Sequence, residues 1–330
     1  MAEFLTFDTD LTAVANAIRV KGGTSAQLIY PSGFVSAIQA IQTGITPKLV
    51  VTTTPGAAIT ATPAEGFKVV KGTAGADGMC TLELPKAGTW HVTAMANSVS
   101  NSQNIVIGTQ NMLLPLYHDT FANNTWEEII TVCRTGIAPD SWAVGDSKTM
   151  NIGGTAYQVD IIGKNHDEYA DGSGTAPLTF QLHDCYSEAK QMYSTNLSGL
   201  GWKNTDMRLT YLPAILALMP AEVQNGIRAV NKKTSEGGNS TTIETVSDTL
   251  FLLSEVEIFG TASSSVAGEG SQYDYYKAGN PKIKKREGVD EFWWERSSAS
   301  GGMFGRVRAN GQAGASNASN SLGVSFAFCF

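Results

Sequence analysis

The chain has 330 residues, with 23 Lys+Arg against 30 Asp+Glu and a formal net charge of −7. Its sequence pI of about 5.2 excludes the basic footprint of a nucleic-acid binder. Hydrophobic residues make up 42% and charged residues 16%, which excludes general disorder and leaves a neutral surface rich in small polar residues.

Residues 1–44 read as a helical attachment or oligomerisation segment. Asp10 can cap a helix whose Leu11, Val14, Ala15 and Ile18 share one stripe, and Gly22-Gly23 stops it. The opening of the chain lacks the basic region and apolar run of a signal peptide. A second helix carries Phe34, Val35, Ile38 and Ile41 after Pro31-Ser32-Gly33. Helices this short need packing partners, so we expect them to dock on another domain or on copies of themselves. Residues 45–110 change to β-branched runs at Lys48–Thr52, Ala58–Ala61, Phe67–Val70, Cys80–Leu84, Trp90–Ala94 and Ile105–Ile107, divided by turns such as Pro55-Gly56 and Asp77-Gly78. Six short strands at that spacing predict a small β-sandwich, and Leu84-Pro85-Lys86-Ala87-Gly88-Thr89-Trp90-His91-Val92-Thr93-Ala94 resembles a late hairpin of immunoglobulin-like modules in bacterial and phage surface proteins, which implies an Ig-like domain over 45–110.

Residues 111–330 hold five of the six tryptophans. Thr125-Trp126-Glu127-Glu128 is a capping box opening a helix with Trp126, Ile129, Ile130 and Cys133 on one face. Gly153-Gly154 turns a hairpin into the strand Tyr157–Ile162, Leu178–Leu182 is another strand, and Leu212–Met219 is a helix that tolerates Pro213 in its first turn. Leu250–Ile258 is a mixed apolar segment with acids on one side, so this part reads as α+β. The fold class is therefore multidomain and mainly β with α+β. Nowhere do roughly 18–20 apolar residues run together as a membrane span would require, and no membrane insertion is expected. Cys80, Cys133, Cys185 and Cys329 have no CxxC spacing and are expected to be free, buried thiols made in a reducing cytoplasm.

Asp160, His166, Asp167 and Glu168 resemble a metal or acid/base cluster, but they surround a turn after a strand, where His and Asp bond local backbone. His183-Asp184-Cys185 places a base and a nucleophile two residues apart, too far apart along a strand for a direct hydrogen bond. Tyr273, Tyr275 and Tyr276 with Lys277 fit an exposed aromatic patch or a hairpin. No GxSxG, HExxH, P-loop or dinucleotide-binding pattern occurs, so the expectation is a non-enzyme with no metal and no cofactor.

From Ser297 to Phe330, 22 of 34 residues are Gly, Ser, Asn or Ala, and the only charged side chains are Arg306 and Arg308. Such composition suggests a flexible tail. Val324, Phe326, Phe328 and Phe330 nevertheless alternate with smaller residues as a core strand does. With Phe292-Trp293-Trp294 at the other end, a rigid strand pair is expected to bracket a permissive polar loop, a common way to hold a binding surface.

Trp293-Trp294-Glu295-Arg296-Ser297 and Gly323-Val324-Ser325-Phe326-Ala327-Phe328, with Ile161-Ile162-Gly163-Lys164-Asn165-His166-Asp167 and Leu252-Leu253-Ser254-Glu255-Val256-Glu257, resemble a family of C-type lectin-like domains common in phage and gut-bacterial genomes. The resemblance spans roughly 115–330. Some members of that family look like variable proteins rewritten by diversity-generating retroelements. Asp10–Arg19 with Tyr30-Pro31-Ser32-Gly33-Phe34 is similar to the start of phage tail and tail-fibre proteins. The wider superfamily includes formylglycine-generating enzymes with active-site cysteines, but the cysteines here match no such pattern. Ser298–Ser321 also lacks the tyrosines and aspartates of many such binding loops.

The resemblance implies a phage or prophage tail-associated receptor-binding protein, located in the virion, with a C-type lectin-like domain over 111–330 and a variable loop over 297–323. Its implied ligand-binding residues are Ser300, Met303, Phe304, Arg306, Arg308, Asn310, Gln312, Ala315, Asn317 and Asn320, all expected to be exposed. The implied partners are a host-cell surface protein or glycan, other phage tail proteins and copies of the chain, with a homotrimer favoured. Alternatives are a surface-glycan-degrading enzyme using Asp160, Asp167, Glu168 or Asp184, and a purely structural virion protein.

Overall fold

In the computed structural model, the described residues are 8–22, 25, 27–29, 33, 34, 37, 47–64, 66, 68–107 and 110–330. The chain divides into two compact units, Met1–Tyr117 and His118–Phe330.

In the first unit a helix spans Asp8–Gly22. The helix already includes Asp8, so Asp10 lies within it rather than capping it. Ala15 and Ile18 are buried against Phe34, with Leu11, Leu28 and Ala37 packed around them. Val14, expected on that stripe, falls at its rim and is 48% exposed. Val35, Ile38 and Ile41 lie outside the described residues, as do Tyr30, Pro31 and Ser32.

Seven strands follow: β1 (Lys48–Thr52), β2 (Ala58–Pro63), β3 (Val70–Thr73), β4 (Met79–Glu83), β5 (Gly88–Ala96), β6 (Val99–Ile107) and β7 (Gln110–Leu113). They form two sheets, β4-β1-β7 and β3-β2-β5-β6. Strand alternation turns Leu49 and Val51 from one sheet and Trp90, Val92 and Ala94 from the other into one apolar cluster. β5 and β6 join through Asn97-Ser98, both left-handed at φ 49° and 66°, which suits a two-residue hairpin. Two features differ from the sequence reading. The third strand sits at 70–73, later than expected, and β7 adds a parallel neighbour to β1, a long-range pairing that no local pattern announces.

The second unit is built on a five-stranded sheet, β13-β19-β10-β9-β8. Its members are β8 (Ser147–Ile152), β9 (Thr155–Lys164), β10 (Leu178–Leu182), β13 (Leu250–Phe251) and β19 (Ala327–Cys329). The predicted Gly-Gly hairpin joins β8 to β9 with φ 58° and 86° at its glycines. The capping box at Thr125 is formed in both directions and opens the helix Trp126–Cys133. This helix lays Trp126 against Phe180 of β10 and against Phe330. Phe180 also stacks on Phe328 at 5.3 Å, directly across the β10–β19 ladder. The alternating aromatic strand is thus core, as its period suggested.

Two antiparallel hairpins, β11 (Val230–Ser235) with β12 (Ile243–Asp248) and β14 (Lys284–Arg286) with β15 (Val289–Glu291), lie outside that sheet. The predicted helix at Leu212 runs only to Leu216 and is entered from a π-helical stretch, Met207–Tyr211. Leu250–Ile258 resolves into β13 followed by a helix over Glu255–Phe259. Tyr273, Tyr275 and Tyr276 form neither an exposed patch nor a hairpin. They are buried around a one-turn helix, Asp274–Lys277. All four cysteines are free and buried. Among the described residues no helix is long and apolar enough to cross a membrane.

The region expected to be a permissive loop is instead a meander. β16 (Trp293–Ala299), β17 (Met303–Val307) and β18 (Ala313–Asn317) form a three-stranded antiparallel sheet. Nor is it bracketed by one strand pair: β19 belongs to the five-stranded sheet, and Trp293 meets Gly323 through a single parallel bridge. Small residues permit this because Gly301 and Gly302 adopt the left-handed backbone of a tight connection.

Candidate binding surface

Directly opposed residues of an antiparallel pair share a face, so the register sorts the ten expected ligand-binding residues. Met303, Gly305 and Val307 of β17 oppose Asn317, Ala315 and Ala313 of β18. On the other face, Phe304 opposes Ser316 and Arg306 opposes Gly314. Arg308 runs along that second face as well, since a Cβ at Gly314 would lie 2.8 Å from its Nε. The ten residues therefore do not form one patch. Met303, Ala315 and Asn317 are on one face, Arg306 and Arg308 on the other, and Asn310 and Gln312 in the turn between β17 and β18.

Ser300, Arg308, Asn310, Gln312, Asn317 and Asn320 are exposed, while Met303, Arg306 and Ala315 are half-buried. Phe304 corrects the expectation, being fully buried with its ring 6.1 Å from that of Tyr193. A fully buried aromatic ring belongs to the core. The turn is internally ordered: the Arg308 amide donates to the Gln312 carbonyl at 2.8 Å, and the Asn310 and Gln312 side chains bond at 3.2 Å.

β16 ties this meander to a buried ionic network that the sequence reading missed. Arg296 donates to both carboxylate oxygens of Glu257 and to the carbonyls of Leu252, Lys233 and Glu269. Lys232 lies 2.7 Å from Glu257 and 2.6 Å from Asp167, which also accepts from the hydroxyls of Thr179 and Tyr273. Burial would raise the pKa of Asp167, but the Lys232 ammonium and these donors override it and hold it at about 2. Burial likewise opposes ionisation of Glu257, and Arg296 with Lys232 overcomes it, so its pKa is lowered. Ser254 and Glu257 form a reciprocal capping box, and this S-x-x-E spacing was the one signal in the sequence that could have placed Glu257 at a buried helix start. Asp167 is thus a structural ion-pair member.

Glu295, beside Arg296 on the same strand, is fully buried, and neither of its carboxylate oxygens has a hydrogen-bond partner among the described residues. A Cβ at Gly305 would meet this carboxylate, so any larger residue there would make the Glu295 side chain shift. Burial, together with the nearby Glu255 and Glu269, pushes the Glu295 pKa well above the usual carboxylate range. A group whose pKa is raised on folding supports stability fully at low pH, below its unfolded-state value, and loses that support as pH rises. Glu295→Gln, which is neutral at every pH, is therefore expected to melt with the wild type near pH 4 and progressively above it towards pH 8. Parallel melting curves across that range would show that Glu295 is not held protonated.

The other suspected clusters resolve separately. His183 does not reach Cys185. Its Nδ1 instead meets Asp160 at 2.7 Å, and that hydrogen bond raises the imidazole pKa. Burial pushes the Cys185 thiol up to about 12, so it is no nucleophile at neutral pH. Buried Lys284 donates to the carbonyls of Leu182 and His183, and burial lowers its pKa to about 8. Among the described residues no group of three His, Cys, Asp or Glu side chains could hold a metal ion. A cavity of about 460 Å³ is lined by His166, Glu168, Asn231, Lys233, Thr245 and Ser271 over the ionic network.

Residues 179–330 match a family described as "Domain of unknown function (DUF6273)". The match covers less than half of the chain. It takes in the meander and Lys232, Glu257, Glu269 and Arg296, while Asp167 lies outside it. No curated protein matches the chain. No solved structure matches it either.

Proposed function

We propose that the chain is a phage or prophage tail-associated receptor-binding protein, in which a C-type lectin-like domain presents the β16–β18 meander to a host-surface ligand. The observation that carries this reading is the contrast within the meander. Its backbone is anchored through β16 to buried Arg296 and Glu257, whereas most of its outward positions hold small or polar side chains that can be exchanged without disturbing the core. The motif resemblance supplies the scaffold and the virion setting. The glycan-degrading alternative is weaker on chemical grounds, because Asp167 is locked as an ionised partner of Lys232 and an Asp184 oxygen accepts from the Lys285 amide. In this reading the N-terminal helix, with Val14 and Val20 exposed, attaches to other tail proteins and to copies of the chain as a trimer.

The combined Asn310→Ala, Gln312→Ala and Asn317→Ala variant should lose most binding to susceptible host cells. Its stability should stay within about 0.5 kcal/mol per site of the wild type, as for surface substitutions generally. Flow cytometry with labelled protein reads the first result and thermal denaturation the second. Unchanged cell binding by this variant would sink the proposal. A light-scattering mass of one 35.0 kDa chain would overturn the trimer.

A further inference from the structure

We infer that Arg306 and Arg308 form an oxyanion-binding subsite, so that the ligand carries a carboxylate, sulfate or phosphate group; this rests on the receptor-binding reading and narrows its ligand to an acidic glycan. Four observations converge on it. Both guanidiniums lie on the Gly314 face of the meander, two residues apart on one strand direction, where side chains project to the same side. Neither is paired with a carboxylate among the described residues, whereas four of the six other arginines, Arg208, Arg228, Arg286 and Arg296, are. No Asp or Glu occurs from Ser297 to Phe330; Glu295 on the neighbouring strand faces Gly305, on the side of β17 opposite Arg306, and Glu291 is engaged by Arg286 and by the Phe292 amide. Finally, the Arg306 guanidinium is held 4.4 Å over the Phe292 ring, and its Nε is buried without a hydrogen-bond partner.

Unpaired like charges are costly to hold together unless an anion relieves them. Burial and the adjacent Arg308 charge both press against Arg306 keeping its proton, and its pKa is lowered accordingly. An oxyanion between the two would complete the Arg306 donors and cancel the repulsion, and guanidinium forks match planar carboxylate or tetrahedral oxyanion geometry. The ring of Phe292 restricts Arg306 beforehand, which lowers the entropy lost on binding. Asn310 and Gln312, in the turn just beyond Arg308, are placed to contact neighbouring hydroxyls of a sugar. The chain as a whole carries a formal charge of −7, so diffuse attraction does not favour polyanions. Any such binding must be local.

The test uses the full chain immobilised for interferometry against four polysaccharides: polygalacturonate, dextran sulfate, a polyglycerol-phosphate teichoic acid and neutral dextran. At least one of the three acidic polymers is expected to bind ten-fold or more tightly than neutral dextran, and which one it is distinguishes carboxylate, sulfate and phosphate sources. Arg308→Gln, an exposed change, should weaken that binding at least ten-fold with the melting temperature unchanged, and Arg306→Gln should do the same. Arg134→Gln, an exposed arginine at the end of the Trp126–Cys133 helix, should bind as wild type. Equal binding of acidic and neutral polymers, no binding of any of them, or full binding by both arginine variants would overturn the subsite. Parallel cell binding separates this inference from the reading beneath it. Cells bound through Asn310 and Asn317 but indifferent to both arginines remove the subsite and leave the receptor assignment standing. Arginine-dependent polymer binding without any cell binding does the reverse.

Discussion

Arg296→Met is expected to destabilise the second unit by about 3–5 kcal/mol, the cost of removing one member of a buried ion pair and leaving its partner uncompensated. Arg296 is fully buried, and its guanidinium joins four separate segments: β11 through the Lys233 carbonyl, the Leu252 carbonyl, the Glu257 carboxylate and the Glu269 carbonyl. Methionine fills the volume but strands Glu257 with Lys232 alone, and leaves carbonyls without a donor. Arg296→Lys should recover little, because a single ammonium cannot replace a planar fork spanning four acceptors. Urea denaturation followed by tryptophan fluorescence reads the effect, since Trp293 and Trp294 lie beside Arg296 on β16. A loss below about 1 kcal/mol would mean that the network relaxes around the gap and does not brace the meander. The same network sets an acid limit. Asp167 and Glu257 have lowered pKa values, so their contribution is present above the ordinary carboxylate range and is lost as pH falls through those lowered values, about 2 for Asp167.

What the sequence disclosed divides along the distance over which each interaction acts. The capping box at Thr125, the Gly153-Gly154 turn and the aromatic alternation at Phe326, Phe328 and Phe330 are local patterns with one physical meaning, and each appears in the structure. The ionic network is of another kind. Arg296 lies 39 residues from Glu257, and Tyr273 lies 106 from Asp167, so nothing short-range in the sequence connects them. The spacing places His183 too far from Cys185 for a hydrogen bond, but no local pattern connects it to its actual partner, Asp160, 23 residues away. The meander was misread for a related reason. Gly and Ala are weak strand formers in isolation, and here tertiary contacts decide: Gly305 leaves room for the Glu295 carboxylate, and Phe304 packs near Tyr193. Composition described the surface of that segment and was silent about what lay under it.

Phe304→Ala provides the sharpest check on this correction, with an expected loss of about 3–5 kcal/mol, as for other buried aromatic truncations. The ring is fully buried, opposite Ser298 on β16 and Ser316 on β18. Its removal opens a cavity bounded by two serines, which cannot refill the space with apolar contacts. Met303 is adjacent in sequence yet on the opposite face and half-buried, so Met303→Ala should cost about 1 kcal/mol or less. If residues 298–321 were a solvated loop, the two substitutions would be equivalent and mild. The binding readout separates them in the other direction. Met303→Ala is expected to change affinity at constant stability, whereas Phe304→Ala should reduce binding only in proportion to the fraction unfolded, with full binding restored on cooling or with a stabilising osmolyte. Weak binding by folded Phe304→Ala protein would return Phe304 to the ligand surface, and a mild effect on stability would undo the assignment of the meander as core-anchored.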